Sequence, residues 1–227
     1  MAPPEPLRDR GEALARREAD EPLDVVDAEG RPTGVIKARR EVHRDGDLHR
    51  AFHLWIVDGD GRVLIQRRSG FKDTGAGKLD VTVGGHLRAG EYWPQALREV
   101  EEEIGLAVEV TDLHALGTFR SERRYEDGTV DRELHETFVM RTTRPLHAFR
   151  LDPREVEVLY AVPLAGAVAL WRDGTPVFAV GRDAHDRPAD ALLHAGDLIA
   201  EGRADTVPAL LALAAWAEGE QESGPLD

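Results

Sequence analysis

The stretch GGHLRAGEYWPQALREVEEEIGL, residues 84–106, constrains the chain more than any other. A strand-like run, LDVTV (79–83), leads into a Gly84-Gly85 turn, and helical punctuation follows. Pro94 suits a first helical turn and Gly105 a C-terminal stop, so the pattern predicts a helix over residues 93–104. Ala96, Leu97, Val100 and Ile104 recur at helical spacing and form one apolar stripe. Glu99, Glu102 and Glu103, at i, i+3 and i+4, share a second face, roughly a third of a turn away at ~100° per residue. Glu101 points elsewhere and reads as ordinary surface. Like charges at this spacing repel. The trio weakens its own helix unless a hard divalent cation, Mg2+ or Mn2+, lies among the carboxylates, and such ions are readily shared with substrate phosphates. A solvated acidic face is the ordinary explanation of a charge run. A run that follows a glycine pair, borders an apolar stripe and stops at a glycine argues for the metal.

The rest of the chain supplies strands around this helix. LDVVDAEGRPTGVIK (23–37) reads as two short strands about a turn, and residues 38–50 as a short helix or loop. AFHLWIVDGDGRVLIQRRS (51–69) is a hairpin about Asp-Gly-Asp-Gly. GFKDTGAGK (70–78) is a glycine-rich loop without the Gly-Lys-Ser/Thr ending of a P-loop. LAVEV (106–110), LHALGTFRSE (113–122), LHETFVMRTT (134–143) and EVEVLYAVP (155–163) predict further strands. Residues 163–171, 190–201 and 206–217 predict helices, with a strand at TPVFAV (175–180). The fold class is α/β or α+β. Residues 1–21, rich in proline and charge, are expected to form a flexible arm, residues 22–217 one domain with a C-terminal helical extension, and residues 218–227 a disordered tail.

Composition narrows the chemistry. The chain has no cysteine, which excludes disulfides, thiolate nucleophiles and cysteine-based zinc sites and fits a reducing cytoplasm. The formal charge of −14 gives no help in holding a nucleic-acid polymer. The longest apolar stretches, 159–171 and 207–217, are too short to span a bilayer, so no membrane partner is expected. A small phosphorylated substrate needs a local reversal of sign, which bound divalent cations provide.

Arg98, Glu99, Val100, Glu102, Glu103, Gly105 and Leu106, with Gly85 and Glu91 upstream, resemble the signature of the Nudix family. One spacing departs from it: six residues, YWPQAL, separate Glu91 from Arg98 where the family has seven, which leaves the supporting role of Glu91 open. Over roughly residues 23–171 the resemblance implies an α/β/α sandwich around a mixed sheet. It also implies hydrolysis of a diphosphate linkage, usually in a nucleoside diphosphate joined to another group. Glu99, Glu102 and Glu103 become metal ligands, with the carbonyl of Gly84 or Gly85, and Arg98 a structural partner. Glu102, Glu103 or a later glutamate, Glu155 or Glu157, takes the proton from water. Dimerisation is common in the family, and nothing in the chain decides it.

The flanks DLHRAFHLWIVDGDGRVLIQRRS, DVTVGGHLRAGE and GTVDRELHETF are similar to the branch containing isopentenyl diphosphate isomerase. That isomerase holds a metal through histidines and acidic residues outside the signature helix. His49, His86 and Glu133 match, Asp131 stands where the isomerase has Glu, and His43 lies near a further histidine position. Three histidines and two carboxylates suit a divalent N/O site. The isomerase also needs a cysteine just before its Gly-His pair, where this chain has Gly84, and it lacks the full glutamate set. Hydrolysis is therefore favoured over isomerisation and over a nucleotide-binding module without turnover, which has no need of the trio. Arg67, Arg68, Lys78 and Arg50 are candidates for gripping a terminal phosphate. Tyr92 and Trp93 either stack on a base or anchor the helix start, and the second is favoured.

Overall fold

Alternation along one strand sets the layers. In β3 (Leu48–Val57), Phe52, Leu54 and Ile56 enter one apolar core while Trp55 and Val57 enter another. Successive strand side chains face opposite ways, so a strand buried on both sides must lie between two layers. β4 (Arg62–Arg68) repeats the pattern, with Leu64 in the first core and Val63 and Ile65 in the second. Val100 and Ile104 of helix α2 (Leu97–Ile104) close the first core. Leu170 and Trp171 of α3 (Leu164–Asp173) and Leu210 and Leu213 of α4 (Arg203–Glu222) close the second. The result is the expected α/β/α arrangement. This computed structural model describes residues 18–72, 74–125, 128–200 and 203–222.

β1 (Pro22–Val26) and β2 (Pro32–Ala38) form a two-stranded antiparallel sheet, and α1 (Arg39–Asp45) links it to β3. The remaining strands are β5 (Leu79–Asp80), β6 (Val83–His86), β7 (His114–Arg124), β8 (Val130–Arg141), β9 (Val156–Pro163), β10 (Val177–Asp183) and β11 (Ala191–Leu193). They join β3 and β4 in a nine-stranded sheet of order β11-β10-β9-β4-β3-β8-β7, with β5 on β4 and β6 on β3. β3 and β8 run parallel, which makes the sheet mixed.

The β3–β4 hairpin pairs only at Ile56↔Leu64 and Val57↔Val63 and then diverges. β6 takes over β3, from Leu54↔Val83 to Ala51↔His86, and β5 takes over β4 at Gln66↔Asp80. Thr82 sits in the fork. Its hydroxyl donates to the Leu64 carbonyl and accepts from Ile56 N at 3.0 Å, so the two backbone groups exposed by the divergence are satisfied. The split opens the cavity described below.

Several expectations change. Gly84 and Gly85 lie inside β6, paired with His53 and Phe52, rather than in a turn. The helix expected from residue 93 begins as a 3-10 turn, Trp93–Ala96, before α2. LAVEV forms no strand: Leu106 and Val108 pack under the sheet without joining it, and a 3-10 turn follows at Val110–Asp112. Residues 190–201 hold β11 and a 3-10 turn, Ala195–Asp197, instead of a helix, because Leu192 and Leu193 pair with Phe178 and Val177 of β10. α4 runs to Glu222, into the expected tail, and residues 223–227 lie outside the described residues. Residues 1–17 of the expected arm also lie outside them, while Glu18 and Glu21 line the cavity. Among the described residues no helix is long and apolar enough to cross a membrane.

Gly105 ends α2 at φ 65°, and a Cβ there would meet the Cβ of Arg150 at 2.7 Å and its carbonyl at 3.0 Å. Gly61 has a similar φ of 75° but open space around it. Gly105→Ala is expected to cost about 2–3 kcal/mol, left-handed strain plus overpacking, and Gly61→Ala about 1 kcal/mol from strain alone. Urea unfolding of the two variants measures the difference.

Candidate active site

α2 and the 3-10 turn before it direct Ala96, Val100 and Ile104 to the sheet, and this presents Glu99, Glu102 and Glu103 to a polar cavity of about 110 Å³. Glu103 is buried, and its Oε2 accepts from Gln66 Nε2 at 3.1 Å. Glu99 is mostly buried and pairs with Arg98 Nη2 at 2.9 Å. Glu102 is exposed at the rim, and Glu101 is exposed outside the cavity lining. Gly85 has a steric reason to be glycine: a Cβ there would fall 2.7 Å from the Cγ and Cδ of Glu99. The bare backbone of β6 lets that carboxylate lie against the strand. Glu91 keeps its partner despite the shortened spacing. Its two oxygens accept from Arg98 Nη1 at 3.0 and 2.9 Å, and its Oε2 also accepts from Arg88 N at 2.9 Å.

Desolvation dominates the electrostatics. Burial pushes the Glu99 carboxyl up to about 7 against the pull of Arg98, and the charges of Glu102 and Glu21 push the same way. Burial also raises Glu103 well above the usual carboxylate range, with Glu155 adding to the effect and Lys72 opposing it. The neighbouring cations do not offset the burial, and a divalent cation would favour the charged form of both groups.

A second cluster stands beside the first. The parallel register sets His49 of β3 against Glu133 of β8, and period-2 alternation puts Asp131 and Glu133 on one face. Donor atoms of His43, His49 and His86 lie within 4.8 Å of one another, as do those of His49, Asp131 and Glu133. Nε2 of His86 is 3.2 Å from Glu133 Oε1, and Nε2 of His49 is 3.8 Å from the same oxygen and 3.7 Å from Asp131 Oδ1. His43 Nε2 is 3.6 Å from Asp131 Oδ1. His49 Nε2 and Asp131 Oδ1 are buried without a hydrogen bond. The remaining contacts orient these donors. His49 Nδ1 is 3.2 Å from the Asp47 carbonyl, which fixes the proton there and turns the Nε2 lone pair inward. His135 Nε2 is 2.8 Å from Glu133 Oε2, which leaves Oε1 to the cluster. Burial lowers His49 and His86 toward the neutral imidazole that binds metals. Adjacent donors around an ion at about 2.1 Å stand roughly 3.0–3.5 Å apart. The spacings of 3.2, 3.6, 3.7 and 3.8 Å lie within or a few tenths of an ångström beyond that, and the mixed nitrogen and oxygen set suits a divalent transition metal. The glutamate trio shares the cavity without being gathered so tightly.

Of the basic residues chosen from sequence, Arg68 faces the cavity, 3.0 Å from Asp80. The other three do not. Arg67 follows strand alternation to the opposite side, where it donates to the Gly77 carbonyl at 2.9 Å and to Asp197 Oδ1 at 3.2 Å, clamping the glycine-rich loop to the C-terminal segment. Lys78 donates to the Gly196 carbonyl at 2.8 Å. Arg50 donates to the Glu91 carbonyl at 2.8 Å and lies over the Tyr92 ring. Trp93 anchors on Phe138 with ring centroids 4.4 Å apart, whereas Tyr92 is 66% exposed. Glu155 lines the cavity and Glu157 is exposed. Sequence reasoning missed Arg39, Lys72, Arg88 and Arg123, which also line it. Arg39 carried a usable signal, since it lies four residues before His43 on the same face of α1.

Comparison with known proteins follows the same lines. The model of the NUDIX domain matches residues 47–179. The chain is 38% identical over 150 residues to Nudix hydrolase 3 of Arabidopsis thaliana, covering 64% of this chain but 19% of that protein's length. It is 36% identical over 115 residues to an isopentenyl-diphosphate Delta-isomerase of Burkholderia multivorans, covering 50% of this chain and 63% of the isomerase. A crystal structure from Deinococcus radiodurans matches with a TM-score of 0.53 at 23% identity over 66% of this chain and 87% of its own, a likeness of fold.

Gly85→Ala is expected to push Glu99 out of place and to weaken Mn2+ binding by roughly tenfold or more, the usual effect of disturbing a ligand's support. Isothermal titration with Mn2+ reads the affinity, and circular dichroism checks that the fold persists.

Proposed function

Because the chain belongs to the NUDIX domain family, we propose that it is a Nudix hydrolase dependent on Mg2+ or Mn2+. It cleaves the diphosphate linkage of a small molecule, in the leading case a nucleoside diphosphate derivative, by attack of water at phosphorus. One observation carries this reading: Glu99, Glu102 and Glu103 line the same cavity as His86, Asp131 and Glu133, with Arg68 and Lys72 facing them. Bound divalent ions neutralise a diphosphate and lower the pKa of a bound water.

The chain's own residues have separate tasks. Glu99, Glu102 and Glu103 hold the ion next to the substrate, and Arg98, fixed by Glu91, keeps Glu99 in place. His43, His49, His86, Asp131 and Glu133 hold a second ion. Arg68 and Lys72 face the phosphate oxygens. A carboxylate takes the proton from water, and Glu102, Glu103 and Glu155 are the groups within the cavity to do so.

The N/O cluster and the Burkholderia relative favour a second reading, isomerisation of a prenyl diphosphate. Against it, the chain has no cysteine, and Gly84 occupies the position before Gly85-His86 with no side chain to move a proton on carbon. Turnover in ¹⁸O-water with Mg2+ separates the two, using nucleoside diphosphate derivatives, dinucleotides and isopentenyl diphosphate as substrates. Label in a phosphate product supports hydrolysis, and a shifted double bond without label overturns it. Glu103→Gln is expected to lower kcat by roughly 10²–10⁴-fold with the fold retained, while Glu101→Gln, outside the cavity, leaves it unchanged.

A further inference from the structure

Glu18 precedes β1 and belongs to neither donor cluster, yet its carboxylate holds two cavity cations at once. Its Oε2 accepts from Arg39 Nη1 at 3.2 Å, and its two oxygens lie 3.0 and 3.1 Å from Lys72 Nζ. The side chains of Arg39, Lys72 and Glu18 are 5%, 12% and 17% exposed, so these contacts are not the solvent-screened pairs of an open surface. Three residues on, Glu21 Oε1 accepts from Arg88 Nε at 2.8 Å and Nη2 at 2.6 Å. The backbone is tied at that point, because Arg39 N donates to the Glu21 carbonyl at 2.8 Å. Glu18 can therefore leave without unpicking β1, giving up one further backbone bond, from Glu21 N to its carbonyl at 3.0 Å.

A carboxylate spanning a guanidinium and an ammonium occupies the place a phosphoryl group seeks, with oxygens meeting the same donors. A phosphoryl group cannot bridge Arg39 and Lys72 while the Glu18 carboxylate does so. Resting on the reading of the cavity as a diphosphate site, we propose that Glu18 is a built-in competitor. It holds Arg39 and Lys72 in the free protein, and a substrate phosphate displaces it on binding. The exchange keeps both cations neutralised before and after, which matters because a buried charge without its partner is strongly destabilising. Lys72 keeps a second partner throughout, Glu155 Oε2 at 2.7 Å, so the loop that carries it stays in place when Glu18 swings out.

The test uses the full chain, Mg2+ and methylene diphosphonate, whose P–C–P bridge cannot be hydrolysed. Competition predicts that Glu18→Gln binds the diphosphonate roughly tenfold more tightly, the factor by which the closed state masks the site. A purely structural role for Glu18 predicts weaker binding, since Arg39 and Lys72 would lose their orientation, and weaker or unchanged affinity overturns the proposal. Hydrogen exchange on the unmutated protein gives a second reading independent of how the variant folds. Diphosphonate is expected to speed exchange of the Glu21 amide, which donates to the Glu18 carbonyl at 3.0 Å, and slower or unchanged exchange there contradicts displacement. Binding is read without turnover, so a lack of hydrolysis leaves this result standing, whereas failure of both proteins to bind diphosphonate overturns both readings.

Discussion

Negative charge held away from water organises this protein. Glu103, Asp131 and Glu133 are buried, and Glu99 nearly so, around one cavity in a fold that could have left them solvated. An isolated buried carboxylate is costly, so Glu99, Glu103 and Glu133 each have an arrangement to offset that cost. Glu99 has Arg98, Glu103 has the amide of Gln66, and Glu133 has His135. The partners of Glu99 and Glu103 orient those two carboxyls without offsetting their burial, which still holds both above the usual carboxylate range. The fork in the β3–β4 hairpin, the bare backbone at Gly85 and the short α2 helix all serve to bring these side chains to one place.

The two donor sets differ in kind. Glu99, Glu102 and Glu103 offer only oxygen, which suits a hard ion shared with phosphate. His43, His49 and His86 bring nitrogen, which suits a transition metal. The hydrolase and isomerase relatives of this chain share a domain and diverge in chemistry, and fold alone does not choose between them. The residue content of the cavity does bear on the choice: the oxygen trio is complete, and no thiol exists anywhere in the chain.

Features governed by local periodicity were legible before the fold was known. The α2 stripe, the hairpin about Asp-Gly-Asp-Gly and the glycine stop at residue 105 all follow from spacing and stereochemistry. Other features depend on pairing, which one chain read alone does not display. LAVEV alternates like a strand but finds no sheet edge, and Leu192-Leu193 reads as helix until β10 supplies a partner. The consecutive pair Arg67-Arg68 shows the limit clearly: alternation dictates that only one faces the cavity, and the register decides which. Glu18 meets Arg39 and Lys72 only because the segment before β1, α1 and the glycine-rich loop converge in space. The histidine cluster lay between these cases, with its members visible by resemblance and its convergence set by the pairing of β3 with β8 and with β6 and by the placement of α1.

Anomalous scattering from crystals grown with Mn2+ tests the electrostatic claim most directly. Two peaks are expected. One lies within about 2.3 Å of carboxylate oxygens of the α2 glutamates, and the other lies among His49, His86 and Glu133 at a similar distance. A cavity without anomalous density, with Glu99 and Glu103 turned to solvent or satisfied by Arg and Lys alone, would contradict it.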